Sequence, residues 1–251
     1  MKDPLYYKKN IPIFVNKTEA QIRADRYEHF FPLVQRNLIL HTGDGLWGRT
    51  VYGPLRQFIL EFMAGENQII LDVGCGVGRL SAEAAKSFPK SKIFGIDYSL
   101  QMLKMASRLW KNDSEIEVDG RDQGFELYTH LGQNIANLTL LQASADALPW
   151  EKNQVDVIIA AFLLDKVLDP MKVLAEFQRV LKKSGRCLVF IPFNFQKREL
   201  WNKFYPPDRF IEKCKETGFK IKNSREIKIK EPLDRHGNTI IWNATALHME
   251  V

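Results

Sequence analysis

The tightest constraint on this chain is the run Gln68-Ile69-Ile70-Leu71-Asp72-Val73-Gly74-Cys75-Gly76-Val77-Gly78-Arg79-Leu80. A β-branched apolar segment enters three glycines on alternate positions, and an alanine-rich stretch follows from Ser81 to Ser87. The run therefore reads as strand, tight turn, helix. Glycine is required where the backbone takes left-handed angles and a ligand comes within van der Waals distance, because a Cβ there would clash. A strand-to-helix turn of this composition suits a nucleotide-like ligand, and the glycine spacing decides which one.

A dinucleotide fingerprint has the form G-x-G-x-x-G, with pyrophosphate at the helix N-terminus. Here the third glycine falls one residue early, as Gly74-x-Gly76-x-Gly78, with Asp72 two places before the first. A second apolar strand, Lys92-Ile93-Phe94-Gly95-Ile96, ends in Asp97-Tyr98, where two carboxylate oxygens match the two hydroxyls of a ribose. A third segment reads Ala143-Ser144-Ala145-Asp146-Ala147-Leu148-Pro149. In this order the three segments resemble the motifs of the class I S-adenosylmethionine (SAM)-dependent methyltransferases, over roughly residues 55 to 251.

That resemblance implies SAM as cofactor and S-adenosylhomocysteine as product. Asp72, Gly74, Cys75, Gly76 and Gly78 would hold the methionine part, with Asp72 near its ammonium, and Asp97 and Tyr98 the ribose and its surroundings. Ala145, Asp146 and Ala147 would form the adenine loop, and Ala161 and Phe162 the end of the fourth strand. The fold implied is α/β, a doubly wound Rossmann-like sheet of seven strands in the order 3-2-1-4-5-7-6 with the last antiparallel, under an N-terminal helical lid.

At 251 residues and 45% apolar content the chain has length for one sizeable core. The segment before the first strand, residues 1–54, reads as arm and lid helices, and residues 55–251 as one globular SAM-binding unit with an insertion at 111–137. The N-terminus lacks an apolar signal core and no apolar run reaches the length of a membrane span, so a cytoplasmic protein without a membrane partner is expected. Cys75, Cys187 and Cys214 are widely spaced and near no histidine cluster, which suggests neither disulfides nor a metal. The net charge of +6 is compatible with an anionic partner and equally with an ordinary enzyme.

Residues 1 to about 17 mix aromatics, lysines and prolines without periodicity and are expected to form an extended arm, dispensable for folding and more mobile without ligand. Thr18-x-x-Gln21 is a capping box for a helix running toward Leu40, bent near Pro32, and Pro54 opens another through Phe62. Between them Gly45 to Tyr52 is dense in aromatics, and it reads either as a closure over a ligand or as a core-packing turn. Tyr6, Tyr7, Trp47, Arg49 and Tyr52 are the substrate or lid candidates, with Phe14, Tyr27, Phe30 and Phe31 nearby.

Helices are expected from Leu100 to Trp110, from Asp169-Pro170 to Ser184-Gly185, and from Pro206-Pro207 to Gly218. The second half of the insertion, Phe125 to Ile135, reads as a short helix. Strands are expected at Leu138–Gln142, Val155–Phe162 and Arg186–Ile191, then a closing hairpin of Phe219–Ile229 and Thr239–Met249.

Methyl transfer from a sulfonium needs alignment more than acid and base groups, although an acceptor hydroxyl of high pKa gains from a positioned base. The histidine pair that many similar small-molecule enzymes carry after the fourth strand is replaced by Leu163-Leu164-Asp165-Lys166. Asp165 is the candidate base or orienter, or else an acid paired with Lys166 and facing water. His29 and His41 lie in the lid region and are not assigned a role. The Asn/Asp-Pro-Pro-aromatic motif of amine methylases acting on adenine or glutamine, and the cysteine pair used at pyrimidine carbon 5, are absent. Basic residues between Lys197 and Lys230 are interleaved with acids, which disfavours nucleic acid. The expected activity is SAM-dependent methyl transfer to a nitrogen or oxygen of a small molecule or short peptide. The alternatives are methylation of protein or RNA, or a non-catalytic SAM-binding partner protein.

Overall fold

The computed structural model describes residues 1–63 and 65–251. The chain opens with a hairpin, β1 (Tyr6–Lys8) and β2 (Ile11–Ile13), turned by Lys9 and Asn10 at φ 50° and 62°. Two consecutive positive φ angles are what a two-residue hairpin turn needs, and asparagine tolerates them. Three short helices follow, α1 (Glu19–Ala24), α2 (Arg26–His29) and α3 (Phe31–Thr42). The capping box at Thr18 and Gln21 starts the first as expected. The single bent helix is corrected to three pieces, because Asp25 leaves helical angles to cap α2 through Tyr27 N, and Phe30 breaks the chain again ahead of Pro32.

Next come α4 (Asp44–Trp47) and α5 (Gly53–Phe62), then β3 (Ile69–Val73), α6 (Arg79–Ser87), β4 (Lys92–Asp97) and α7 (Leu100–Trp110). The insertion forms a ribbon of its own, β5 (Glu115–Asp119) against β6 (Leu127–Leu131). The short helix expected from Phe125 is thereby corrected to a strand. Tyr128 and His130 alternate with Leu127, Thr129 and Leu131, and that period of two places Tyr128 Oη 2.7 Å from Thr42 Oγ1 and His130 against Trp110.

The remainder is β7 (Leu138–Gln142), β8 (Val155–Ala161), α8 (Pro170–Val180), β9 (Leu181–Ile191), α9 (Arg198–Phe204), α10 (Pro207–Glu216), β10 (Lys220–Pro232) and β11 (Thr239–Glu250). α8 ends at Val180, short of the Ser184-Gly185 expected to stop it, and α9 has no counterpart in the sequence reading.

The sheet runs β1-β2-β7-β4-β3-β8-β9-β11-β10, and β11 is antiparallel to both its neighbours. Seven strands were expected, and among the described residues this sheet has nine, because the N-terminal hairpin joins the margin: Ile13 pairs with Gln142 and Phe14 N donates to Gln142 O at 2.8 Å. The first residues are thus part of the sheet, with Ile11 and Ile13 fully buried, and the detachable arm is corrected. Helices cover both faces, and alternate strand residues divide between two apolar clusters. Ile70, Val157, Ile159, Leu188 and Phe190 face one, with α5, α6, α7 and α3; Leu71, Val73, Ile158, Val189 and Ile191 face the other, with α8 and α10. Since β3 lies between β4 and β8, both parallel to it, the connections diverge there and leave a crevice at the carboxyl ends of these strands.

Candidate methyl-donor site

The three turn glycines stand at this crevice with φ of 77°, 56° and 81°. Gly74 N and Cys75 N both donate to Ile96 O, at 2.8 and 2.9 Å, pinning the turn to β4. A Cβ on Gly74 would meet Leu163 at 2.9 Å and one on Gly78 would meet Trp110 at 2.9 Å, so these two serve packing. At Gly76 the nearest atom to such a Cβ is Asn37 Oδ1 at 3.9 Å, and the turn there faces open space. Gly76 is where a ligand can come against bare backbone.

Asp97 is fixed by the same turn. Gly76 N donates to its Oδ2 at 2.8 Å and Ser99 N to its Oδ1 at 2.7 Å. Burial raises its pKa to about 6 against those two hydrogen bonds, which pull the other way. Each oxygen keeps accepting capacity, enough for two ligand hydroxyls. Asp72 is placed differently: it is 1% exposed, and Ser81 Oγ donates to its Oδ2 at 2.5 Å. It ties α6 to β3, and burial raises its pKa to about 6. Cys75 is buried beside the turn, and burial pushes its thiol well above the ordinary range.

Residues of the N-terminal segment pack against the chain just after Asp97; of these, Tyr27 is among the lid aromatics expected from sequence, and Lys17 and Glu28 were not assigned. Lys17 Nζ lies 3.8 Å from the centroid of the Tyr98 ring and bonds Asp25 and Glu28 at 2.9 and 2.7 Å. Glu28 Oε1 also accepts from Leu100 N at 2.9 Å, and Ser99 Oγ donates to Tyr27 O at 3.1 Å. Burial raises the Tyr27 hydroxyl, and the charge of Asp97 adds to the effect.

After β7, Ala145, Asp146 and Ala147 form a turn closed by Ala147 N to Ser144 O at 3.1 Å; Asp146 is exposed and accepts from Ser144 Oγ. Its charge contributes to raising the Tyr98 hydroxyl, which is raised first by burial. Ala161 ends β8, and Phe162, at φ 55°, donates its N–H to Phe190 O at 2.8 Å. Asp165 is buried. Its Oδ2 accepts from Asn194 N and from Lys166 Nζ, both at 3.1 Å, while its Oδ1 has no partner among the described residues. The pairing with Lys166 is present, but the acid does not face water.

The five substrate or lid candidates are not brought together. Tyr6 and Tyr7 are exposed on β1, at one margin of the sheet. Trp47 and Arg49 line a cavity with the tip of the β10–β11 hairpin, at the other margin. Tyr52 Oη lies 2.8 Å from His41 Nε2, and Arg79 N donates to His41 Nδ1 at 3.3 Å. Burial lowers the His41 pKa to about 3, so the ring is neutral, with its proton on Nε2 and directed at Tyr52. His29 is exposed.

The chemistry of these groups fits SAM: an open glycine face for its amino-acid part, and a carboxylate with accepting capacity on both oxygens for its ribose. Residues 71–189 match the family model described as a methyltransferase domain. The ubiquinone/menaquinone biosynthesis C-methyltransferase UbiE of Syntrophotalea carbinolica is 33% identical over 127 residues, 51% of this chain and 44% of that protein. The demethylmenaquinone methyltransferase of Lactococcus lactis is 30% identical over 145 residues, 55% of this chain and 50% of that protein. The chain thus spans about half the length of the curated relatives it matches. Among solved structures, a SAM-dependent methyltransferase from Aquifex aeolicus superposes with a TM-score of 0.55 at 18% identity, covering 94% of this chain and all of that one, a likeness of fold. Residues 71–189 thus match a methyltransferase-domain model, and the fold is the one seen in the SAM-dependent methyltransferase of Aquifex aeolicus.

Proposed function

We propose that the chain transfers the methyl group of SAM to a small organic molecule. The observation that carries this reading is the Asp97 clamp: a carboxylate held by Gly76 N and Ser99 N, opposite an open glycine face, at the point where the strand connections diverge. SAM, when bound, supplies an electrophilic methyl on a sulfonium. The chain's own work is then to hold the ribose through Asp97, to keep the glycine turn bare, and to exclude water with the cover of α1 and α2. Asp165 is the residue we assign to the acceptor's proton, since its buried Oδ1 has no partner among the described residues. Expected acceptors carry the nucleophile on nitrogen or oxygen. Two relatives are named as methyltransferases of quinone biosynthesis and one of these as a C-methyltransferase, so ring carbons flanked by a hydroxyl belong among the trial acceptors.

Two measurements test the reading. Calorimetry with SAM is expected to show binding that Asp97→Ala weakens. Release of S-adenosylhomocysteine is then followed over pools of small molecules, short peptides and RNA, with turnover expected on the first. Turnover on RNA or protein alone would move the chain to the second class of acceptor, and SAM binding without turnover on any pool would make it a sensor or partner protein. Asp165→Asn is expected to lower kcat at least tenfold with SAM affinity unchanged; equal kcat would remove the base from the scheme.

A further inference from the structure

A cavity of about 790 Å³ lies apart from the glycine turn, between α4, the Phe125–Glu126 end of the insertion and the β10–β11 tip. That volume is within the range of small-molecule sites. Its walls are bonded to one another: Arg235 N donates to Gly124 O at 3.0 Å, Arg49 Nη1 to Lys230 O at 2.9 Å, and Arg36 bridges Glu231 at 3.0 Å and Pro232 O. Apolar lining comes from Leu46, Trp47 and Phe125, with the two rings edge to face at 5.7 Å. Flat apolar walls of this kind accept a flat apolar body.

The polar groups specify more. Among the described residues Arg49 has no carboxylate within ion-pair distance. Of the two acids in the lining, Asp234 is engaged by its own turn, accepting from His236 N, Asn238 N and Asn238 Nδ2 at 2.8, 3.2 and 2.6 Å, and Glu126 lies 3.9 Å from Arg235. A ligand that satisfies this wall is planar and carries an anionic acceptor group. The helix α3 runs between this cavity and the donor crevice: Arg36 lies over the Phe125 ring at 5.1 Å, and the next residue, Asn37, is the nearest neighbour of the open Gly76.

We infer that this cavity binds a planar aromatic anion, its charged group on Arg49 and its ring against Trp47 and Phe125, as a site separate from the donor crevice. The inference goes beyond the methyltransferase reading, and its test is separable from it. The probe is 1-hydroxy-2-naphthoate, with 1-naphthol as its uncharged counterpart, titrated by fluorescence into the full chain. Arg49→Gln is expected to weaken the naphthoate about tenfold and the naphthol less than twofold, with Arg49→Lys in between, while SAM affinity measured by calorimetry stays unchanged. Asp97→Ala, crippled only for the donor, is expected to bind the naphthoate as the wild type does. The inference is overturned if the wild type fails to bind the naphthoate at millimolar concentration, or if Arg49→Gln binds it normally. Displacement of the naphthoate by S-adenosylhomocysteine, or its loss in Asp97→Ala, places it in the donor crevice and also overturns the inference. SAM binding without naphthoate binding leaves the methyltransferase reading standing alone; naphthoate binding without SAM binding does the reverse.

Discussion

Asp97 does its work through two backbone N–H groups that hold it and two oxygens that still accept. If Asp97 holds the ribose as proposed, removing the carboxylate takes a charged acceptor from both hydroxyls, so Asp97→Ala is expected to weaken SAM by about 1.5–3 kcal/mol with little change in folding, as calorimetry and urea unfolding would register. Because burial lifts its pKa to about 6, ligand hydroxyls that favour the charged form bind better once it ionises. SAM affinity is therefore expected to fall as pH drops through about 6, and Asp97→Asn to flatten that dependence. At Gly76, where added atoms meet nothing nearer than 3.9 Å, valine would fold less easily at φ 56° and fill the ligand's place; SAM binding to Gly76→Val at wild-type strength would mean that the ligand approaches elsewhere. Asp97 and the glycines were legible in the sequence because backbone geometry fixes their spacing. Lys17 and Glu28 were not, because only the docking of the N-terminal segment on the start of α7 brings them near Asp97, 69 or more residues away along the chain.

Among elements, the central strands were the easiest to read, since β3, β8 and β9 are apolar on both faces and have one place to go. The N-terminal hairpin was the hardest: each of its strands has three residues, too few to display a period, and its burial is decided by β7. That burial makes the first residues structural. Ile13→Ala is expected to cost about 2–4 kcal/mol in urea unfolding, as other large-to-small changes in packed cores do. A loss under 0.5 kcal/mol would return residues 1–17 to the status of a loose arm. The clasp beyond it is subject to a finer measurement. Glu28→Gln weakens both the Lys17 pair and the cap on Leu100 N, and the Leu100 amide is expected to exchange its hydrogen faster, with amides at the centre of β3 unchanged.

For the molecule as a whole, burial of ionisable groups sets opposing responses to pH. Asp72 and Asp97, raised to about 6, contribute stability that is present below about 4 and lost as pH climbs to about 6. His41, lowered to about 3, contributes stability that is present above about 6.5 and lost as pH falls toward 3. Between about 4 and 6 the two trends work against each other. Asp72→Asn removes part of the first, so urea midpoints of that variant are expected to rise more steeply with pH than those of the wild type. The two ends of β7 carry a different consequence. Its outer border, five residues long, is closed at one end by the hairpin at Gln142 and at the other by Lys111 Nζ, which donates to Leu138 O at 2.9 Å. A strand border with Leu138, Leu140 and Leu141 on it is a template for another molecule's backbone, and these two small obstructions keep it from being used as one. Chains trimmed of their first residues are therefore expected to scatter light and come out of solution well before they lose their helical signal on heating.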